Sequence, residues 1–282
     1  MSNVDKVWWG DLYFAVSENE SNSLYDDVIL PWLSTSGDIM QLLTSVRNLS
    51  ETPTDEEEKQ FVLWDLYALS RINDFFLLPF QNSDLNRWEG SSISMEQYLR
   101  FFENLGLNPF EPKHGEAFSP FHHEIVSVEQ SADSAEPISV VGSQWPGFMY
   151  GEMLFSRSGV RVRGGADFVR KNVAEASTLY FTHRRLNRPT EDLSMGWGHN
   201  SQWRTAFRRD YEINGQLLFN VDGKKSLLRE SKTDSVDDYG LTVPDRIELC
   251  MNRCFVRTEK PHGDLFPYVD YIGISANSRE LV

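Results

Sequence analysis

Residues 54–79 read TDEEEKQFVLWDLYALSRINDFFLLP and contain the strongest secondary-structure signals in the chain. Thr54 and Glu57 have the spacing of a capping box, in which two side chains satisfy free amides at the start of a helix. Apolar side chains then occur on every face, as is typical of a buried helix, and a proline ends the pattern. The sequence therefore predicts a long, mostly buried helix over residues 54–78.

Similar signals mark other helices on both sides of this segment. Ser94 and Gln97 form a second capping box, and Thr242 followed by Pro244 is a typical helix start. Together with the apolar periodicity, these signals predict helices at residues 37–47, 94–106, 166–183 and 244–254.

Between residues 119 and 163 the helical period disappears, and short apolar runs alternate with Gly and Pro. The runs predict an antiparallel meander with strands at residues 121–128, 137–141, 148–155 and 159–163. Further along, Asn214-Gly215 lies between two apolar runs and is a strong signal for a type I′ hairpin. The tail beyond residue 261 has no regular pattern, and we expect it to be irregular.

The predicted fold class is α+β, with a mostly helical N-terminal part followed by an antiparallel β-rich part with two or more helices. We expect an acidic, mainly helical part at residues 1–115 and an α+β part at residues 116–282, unless the two form one continuous domain. No run approaches the ~20 apolar residues of a membrane span, and the first residues do not resemble a secretory signal. We therefore expect no membrane partner.

Charge is distributed unevenly along the chain. Residues 1–150 contain 24 acidic and 7 basic residues, a net charge of −17, whereas residues 151–282 have a net charge of +2. The overall charge of −15 argues against nucleic-acid binding, which requires a basic face. The acidic half either is a solvated surface or attracts a basic partner. Cys250 and Cys254 form neither a CxxC motif nor a zinc ligand set, so we expect two buried thiols on one face of a helix, in a reducing cytoplasm.

The segment GWGHNSQWRTAFRRDY, residues 196–211, concentrates side chains that are suited to binding a ligand. His199 is its best candidate acid or base, because imidazole titrates near neutral pH. Amides can orient a ligand, and arginines suit a carboxylate or a phosphate. The predicted ligand-binding residues are Trp197, His199, Asn200, Gln202, Arg204, Arg184 and Arg208.

The same segment has a structural alternative. Its tryptophans and amides can form a buried polar plug, and nearby arginines can pair with acids of the N-terminal half. We expect carboxylates of the same chain to contact at least two of Arg184, Arg185, Arg188, Arg204, Arg208 and Arg209. The segment resembles one found in a family of bacterial proteins without an assigned activity. The resemblance covers roughly residues 121–268 and implies no function.

No motif for covalent catalysis, phosphate binding or metal binding is complete in the sequence. Ser194 lacks the Gly-x-Ser-x-Gly context, and His122 with Glu124 supplies only two metal ligands. We therefore predict no metal and no cofactor, and whether the protein is an enzyme stays open. The favoured expectation is a cytoplasmic bacterial binding protein, such as an immunity or antitoxin factor that recognises a basic protein. The alternative is an enzyme or receptor that binds a nucleotide or phosphorylated metabolite with residues 183–211.

Overall fold

A computed structural model describes most of the chain, namely residues 9–21, 23–35, 43–83, 86–194, 203–229, 236–237, 240–260 and 269–276. Within these residues the fold is α+β, as predicted, with a helical N-terminal region followed by a β-rich region. The chain divides into two compact units. Unit 1 consists of residues 1–108, 182–187 and 192–207, and unit 2 consists of residues 109–181, 188–191 and 208–282.

Unit 1 is helical. Its described α-helices are α1 (Trp9–Ser17), α2 (Leu30–Thr35), α3 (Glu56–Phe76) and α4 (Met95–Asn104). A π-helical turn spans Tyr25–Ile29, and 3₁₀ turns span Thr44–Val46, Leu49–Glu51 and Leu78–Gln81. Helix α1 packs against α3, and the rings of Trp32 on α2 and Phe76 on α3 both contact Phe101 on α4. Aromatic side chains therefore join the helices of this unit.

Helix α3 is long and mostly buried, as predicted, but its N-terminus differs by one residue. Asp55 is the N-cap in place of Thr54, and its carboxylate accepts a hydrogen bond from the Glu58 amide at 2.9 Å. Both caps fit the sequence pattern, because Thr and Asp are both favoured at this position. The predicted capping box of Ser94 is confirmed, and Thr242 caps the last helix.

Unit 2 is built from short strands and two described helices. The strands are β1 (Asn108–Phe110), β2 (His123–Gln130), β3 (Ser139–Trp145), β4 (Gly147–Tyr150), β5 (Met153–Ser156), β6 (Ser158–Gly164), β7 (Leu179–Tyr180), β8 (Thr190–Glu191), β9 (Asp210–Ile213), β10 (Gln216–Phe219), β11 (Lys225–Ser226) and β12 (Asp270–Ser275). The helices are α5 (Lys171–Ala174) and α6 (Val243–Asn252). The described strands form a sheet ordered β1-β4-β5-β9-β10-β12-β11, a sheet ordered β2-β6-β3 and a pair β7-β8.

The prediction of an antiparallel meander over residues 119–163 is wrong, because the strands pair differently. Strand β2 runs parallel to β6, and β3 runs antiparallel to β6. The predicted strand 148–155 is two strands, β4 and β5, which reverse at Gly151 with a φ of 61°. Strand β5 then pairs with β9, so the residues predicted as one meander contribute to two sheets.

Two other elements differ from their prediction. The helix predicted at residues 166–183 is reduced to the four residues of α5, because Leu179 and Tyr180 pair as a buried strand with β8. The tail predicted to be irregular contributes β12, which lies between β10 and β11. Part of the helix predicted at residues 37–47 lies outside the described residues, and Thr44–Val46 forms a 3₁₀ turn.

The hairpin and the last helix are confirmed. Strands β9 and β10 pair antiparallel, and Asn214 and Gly215 have φ values of 50° and 74°, as a type I′ turn requires. Cys250 and Cys254 are free and buried, as expected. They belong to different apolar clusters, because α6 ends between them and Arg253 turns the chain with a φ of 61°. None of the described helices is both long and apolar enough to cross a bilayer.

We predict that Asp55→Ala lowers the free energy of unfolding by about 1 kcal/mol, because the variant loses the N-cap of α3. Thr54→Ala is the matched control and should change this free energy by less than about 0.5 kcal/mol. Urea denaturation followed by circular dichroism measures both values. A larger loss for the Thr54 variant would show that the capping residue has been misassigned.

Candidate functional site

A buried carboxylate, Asp192, lies at the centre of a polar cluster in unit 1. Its side chain is 2% exposed. It accepts a hydrogen bond from the Tyr67 hydroxyl at 2.5 Å and another from the Ser194 hydroxyl. The third neighbour of the carboxylate is His183, whose Nδ1 lies 3.5 Å from Oδ2 of Asp192. This distance is long for a hydrogen bond. Three donor groups therefore converge on one carboxylate.

These donors keep Asp192 ionised. Burial raises the pKa of the Asp192 carboxyl, but its polar contacts with His183, Ser194 and Tyr67 outweigh burial and hold the pKa below the usual value. The pKa of Tyr67 shifts in the opposite direction. Burial, and then the charge of Asp192, raise the pKa of its phenol, which stays a hydrogen-bond donor at neutral pH.

The other ring nitrogen of His183 faces a cation and a hydroxyl. Its Nε2 lies 3.1 Å from Nη2 of Arg71 and 3.3 Å from the Tyr13 hydroxyl. A guanidinium can only donate, so Nε2 is the acceptor, and the single ring proton of a neutral imidazole is on Nδ1, towards Asp192. With a side chain that is 21% exposed, His183 presents a basic nitrogen held in one tautomer.

Helix α3 positions this centre. Tyr67, Arg71 and Asp74 are spaced four and three residues apart, so they share one face of the helix. Asp74 accepts the backbone amide of His183 at 2.8 Å and an Nη of Arg185 at 2.6 Å. The helix thus fixes the turn that carries His183 and supplies two of the side chains around it.

Aromatic rings surround the Arg71 guanidinium. It lies 5.0 Å from the ring centre of Tyr13 and 4.8 Å from that of Trp203. Tyr13 meets both His183 and Trp203 edge to face, and Phe14 packs against Trp203 in the same way. The centre therefore combines a basic nitrogen, a guanidinium and a phenol with an aromatic surface.

The predicted site residues are in different places. Trp197, His199, Asn200 and Gln202 lie outside the described residues, and their roles stay predictions. Arg184 and Arg204 are exposed, and their guanidinium groups stack on Trp88 at 5.0 Å and on Trp64 at 5.8 Å. Arg208 is buried in unit 2, where it pairs with Asp210 at 3.0 Å.

The expected pairing of arginines with carboxylates is confirmed. Arg185 pairs with Asp74 at 2.6 Å, and Arg209 pairs with Asp222 at 2.7 Å. Asp74 belongs to the first 150 residues, as expected from the distribution of charge. Arg185, Arg208 and Arg209 therefore pair with carboxylates of the chain. The arginine in the polar centre of unit 1 is a different one, Arg71.

The sequence placed His183 and Asp192 within the candidate ligand-binding segment 183–211 without singling them out, and it gave no site role to Tyr67 or Arg71. One usable signal was present, because Arg71 and Asp74 are charged side chains in a helix that is otherwise apolar on that side. The contact of that helix with His183 spans more than 100 residues of sequence, and no local pattern indicates it. Among the described residues, no group of three or more His, Cys, Asp or Glu side chains could hold a metal ion.

Comparisons with protein-family models, curated proteins and solved structures give no significant match to the chain. The resemblance of residues 121–268 to a bacterial family therefore stays a prediction. Function is inferred from the geometry of the described residues.

The surface of unit 1 is acidic. In the described part of this unit, 13 of 16 acidic side chains are exposed, against 5 of 8 basic ones. The exposed acids are Asp11, Glu18, Glu20, Asp26, Asp27, Glu51, Asp55, Glu56, Glu57, Glu58, Glu89, Glu96 and Glu103. Such a surface attracts basic molecules at low ionic strength.

We predict that Asp192→Asn lowers the free energy of unfolding by about 1–3 kcal/mol at pH 7. The folded-state pKa of Asp192 lies below its unfolded value of about 3.9, so the stabilisation is complete above that value. It is lost as pH falls through the folded pKa. The difference between wild type and variant should therefore shrink below pH ~4.

Urea denaturation between pH 2.5 and 7 measures this difference. Glu89→Gln changes an exposed carboxylate and is the control, which should match the wild type at each pH. A difference between wild type and Asp192→Asn that is constant over this range would contradict the ionised state of Asp192.

Proposed function

We propose that unit 1 binds a small anionic molecule at the centre formed by Asp192, His183 and Arg71, with His183 as the proton-accepting group. One observation carries the proposal: Nε2 of His183 faces a guanidinium and a phenol, while Nδ1 faces a buried, ionised carboxylate. A carboxylate behind an imidazole fixes its tautomer and stabilises the protonated ring. Such an imidazole is suited to general base catalysis.

Arg71 supplies the affinity for an anion. Its guanidinium can bind a phosphate or carboxylate through paired hydrogen bonds, and the ligand would replace the present contact with Nε2 of His183. The rings of Tyr13, Phe14 and Trp203 offer a surface on which a flat apolar group can stack. A nucleotide combines a flat base with a phosphate, so nucleotides are the ligand class that we favour over sugar phosphates.

A thermal-shift titration with AMP, GMP and glucose 6-phosphate, each beside its unphosphorylated counterpart, tests the proposal. We expect a nucleoside monophosphate to raise the melting temperature of the wild type, and the nucleoside to raise it less. His183→Gln keeps a polar side chain but removes the imidazole, and it should weaken binding about tenfold or more.

His114→Gln is the matched control, because His114 is an exposed histidine of unit 2. It should bind the nucleotide as the wild type does. The proposal is rejected if none of the three phosphates shifts the melting temperature, or if the two histidine variants bind equally well.

The acidic surface of unit 1 favours a second candidate function, recognition of a basic protein as by an immunity or antitoxin factor. Phe14, Phe61 and Leu193 are each more than 40% exposed and could anchor such a partner. We also propose that the protein acts in the bacterial cytoplasm, where thiols such as that of Cys250 stay reduced.

Affinity capture of basic proteins from bacterial extract at 50 and 200 mM NaCl tests the second candidate. We expect a partner that is lost at the higher salt concentration, because screening weakens contacts between exposed charges. Changing all three glutamates at positions 56–58 to Gln should also abolish capture. The control changes Glu111, Glu116 and Glu129 of unit 2 to Gln and should leave capture unchanged. Capture that is equal in both triple variants would argue against recognition through unit 1.

A further inference from the structure

Three buried arginines of unit 2 surround the C-terminal end of helix α6. Nη1 of Arg157 donates to the Asn252 carbonyl at 2.8 Å, and Nη2 of Arg208 donates to the Cys250 carbonyl at 2.6 Å. Arg253 follows the helix directly as its C-cap. The last turn of a helix leaves carbonyl groups free and carries a partial negative charge, so cations are stabilising at this end.

Carboxylates are shared unequally among the three arginines. Asp210 accepts from Nε of Arg208 at 3.0 Å and from Nη2 of Arg253 at 2.9 Å. Arg157 has no ion pair with a carboxylate anywhere in the described ranges, although the charge of the buried Glu124 acts on both Arg157 and Arg253. One buried guanidinium of the cluster therefore lacks an adjacent counter-ion.

Apart from Glu124, two nearby titratable groups, His123 and Cys250, add no negative charge to the cluster. Burial, and then the charge of Arg253, lower the pKa of Arg157 to about 9, so it stays positively charged at neutral pH. Burial, and then His122, lower the pKa of His123 to about 4. Burial raises the pKa of Cys250 to about 12. Both of these groups are therefore neutral at pH 7.

Two nitrogen atoms of the cluster also lack hydrogen-bond acceptors. Nη2 of Arg157 and Nη1 of Arg208 are buried and have no partner within the part of the chain that the structure describes. A water molecule could accept from them, but it would add no negative charge to a cluster in which three guanidinium groups share the carboxyl groups of Asp210 and Glu124. An isolated buried charge is among the most unfavourable features that a folded protein can contain.

We propose that unit 2 binds a small monatomic anion of the chloride class beside Arg157, in reach of its free Nη2 and within the cluster formed with Arg208 and Arg253. The burial of the three arginines, which are at most 8% exposed, favours a small ion. The anion would join the β5–β6 connection, the residues before β9 and the end of α6. This structural ion is independent of the proposed ligand site in unit 1.

Thermal unfolding at constant ionic strength, with sodium gluconate replaced stepwise by sodium chloride, tests the proposal. Gluconate is much larger than chloride and serves as the non-binding anion, so the melting temperature of the wild type should rise with the logarithm of the chloride concentration above the dissociation constant. At a chloride concentration ten times the dissociation constant, the expected rise is about 3–6 °C.

Arg157→Met removes the unpaired charge and should abolish the response to chloride. Arg163→Met is the matched control, because Arg163 is an exposed arginine of the same unit, paired with Glu136. It should keep the response. A wild-type melting temperature that does not depend on chloride overturns the proposal, and so does a response that Arg157→Met retains.

A crystallographic measurement on the wild type covers the case in which Arg157→Met fails to fold. Bromide has the same charge as chloride and scatters X-rays anomalously. Crystals grown with bromide should show an anomalous peak in contact with Nη2 of Arg157. The absence of a peak there would contradict the proposal without any variant.

Discussion

The ion pairs of Asp210 hold together parts of unit 2 that are far apart in the sequence. The carboxylate accepts from Arg208, from Arg253 and from the backbone amide of Asn220, so it joins the start of β9, the end of α6 and the residue after β10. Burial raises the pKa of Asp210, but the charges of Arg208 and Arg253 lower it below the usual value. Breaking a buried pair of this kind costs about 3–5 kcal/mol, a large part of the stability of a typical domain.

Unit 1 also depends on buried carboxylates, but it places a titratable ring among them. Asp74 accepts hydrogen bonds from the backbone amides of His183 and Arg184 and from the Arg185 side chain. Asp192 faces the imidazole of His183. The network in unit 2 consists of groups whose charge is fixed near neutral pH. The network in unit 1 includes an imidazole that is 21% exposed, and this difference is why chemistry is proposed for unit 1 and a structural ion for unit 2.

Local signals in the sequence identified the elements that local interactions define. Helix α3, the capping box of Ser94 and the Asn214-Gly215 hairpin were predicted because caps and turns act over a few residues. The parallel pairing of β2 with β6 and the insertion of β12 were missed, because strand pairing is decided by distant partners. The contact of His183 with helix α3 was missed for the same reason. The charge distribution did predict that arginines pair with acids. This prediction requires only the composition of each half, and not the location of each residue in the fold.

The composition of unit 1 from three chain segments has a consequence for synthesis. Its helices occupy residues 1–108, but residues 192–207 also belong to it. At 5–20 residues per second, the ribosome adds residues 109–191 in roughly 4–17 s. During that interval Asp74 has no Arg185 and Arg71 has no His183 to contact. The N-terminal half therefore lacks part of its native contacts until most of the polypeptide has been made. Unit 1 cannot complete its folding in the order of translation.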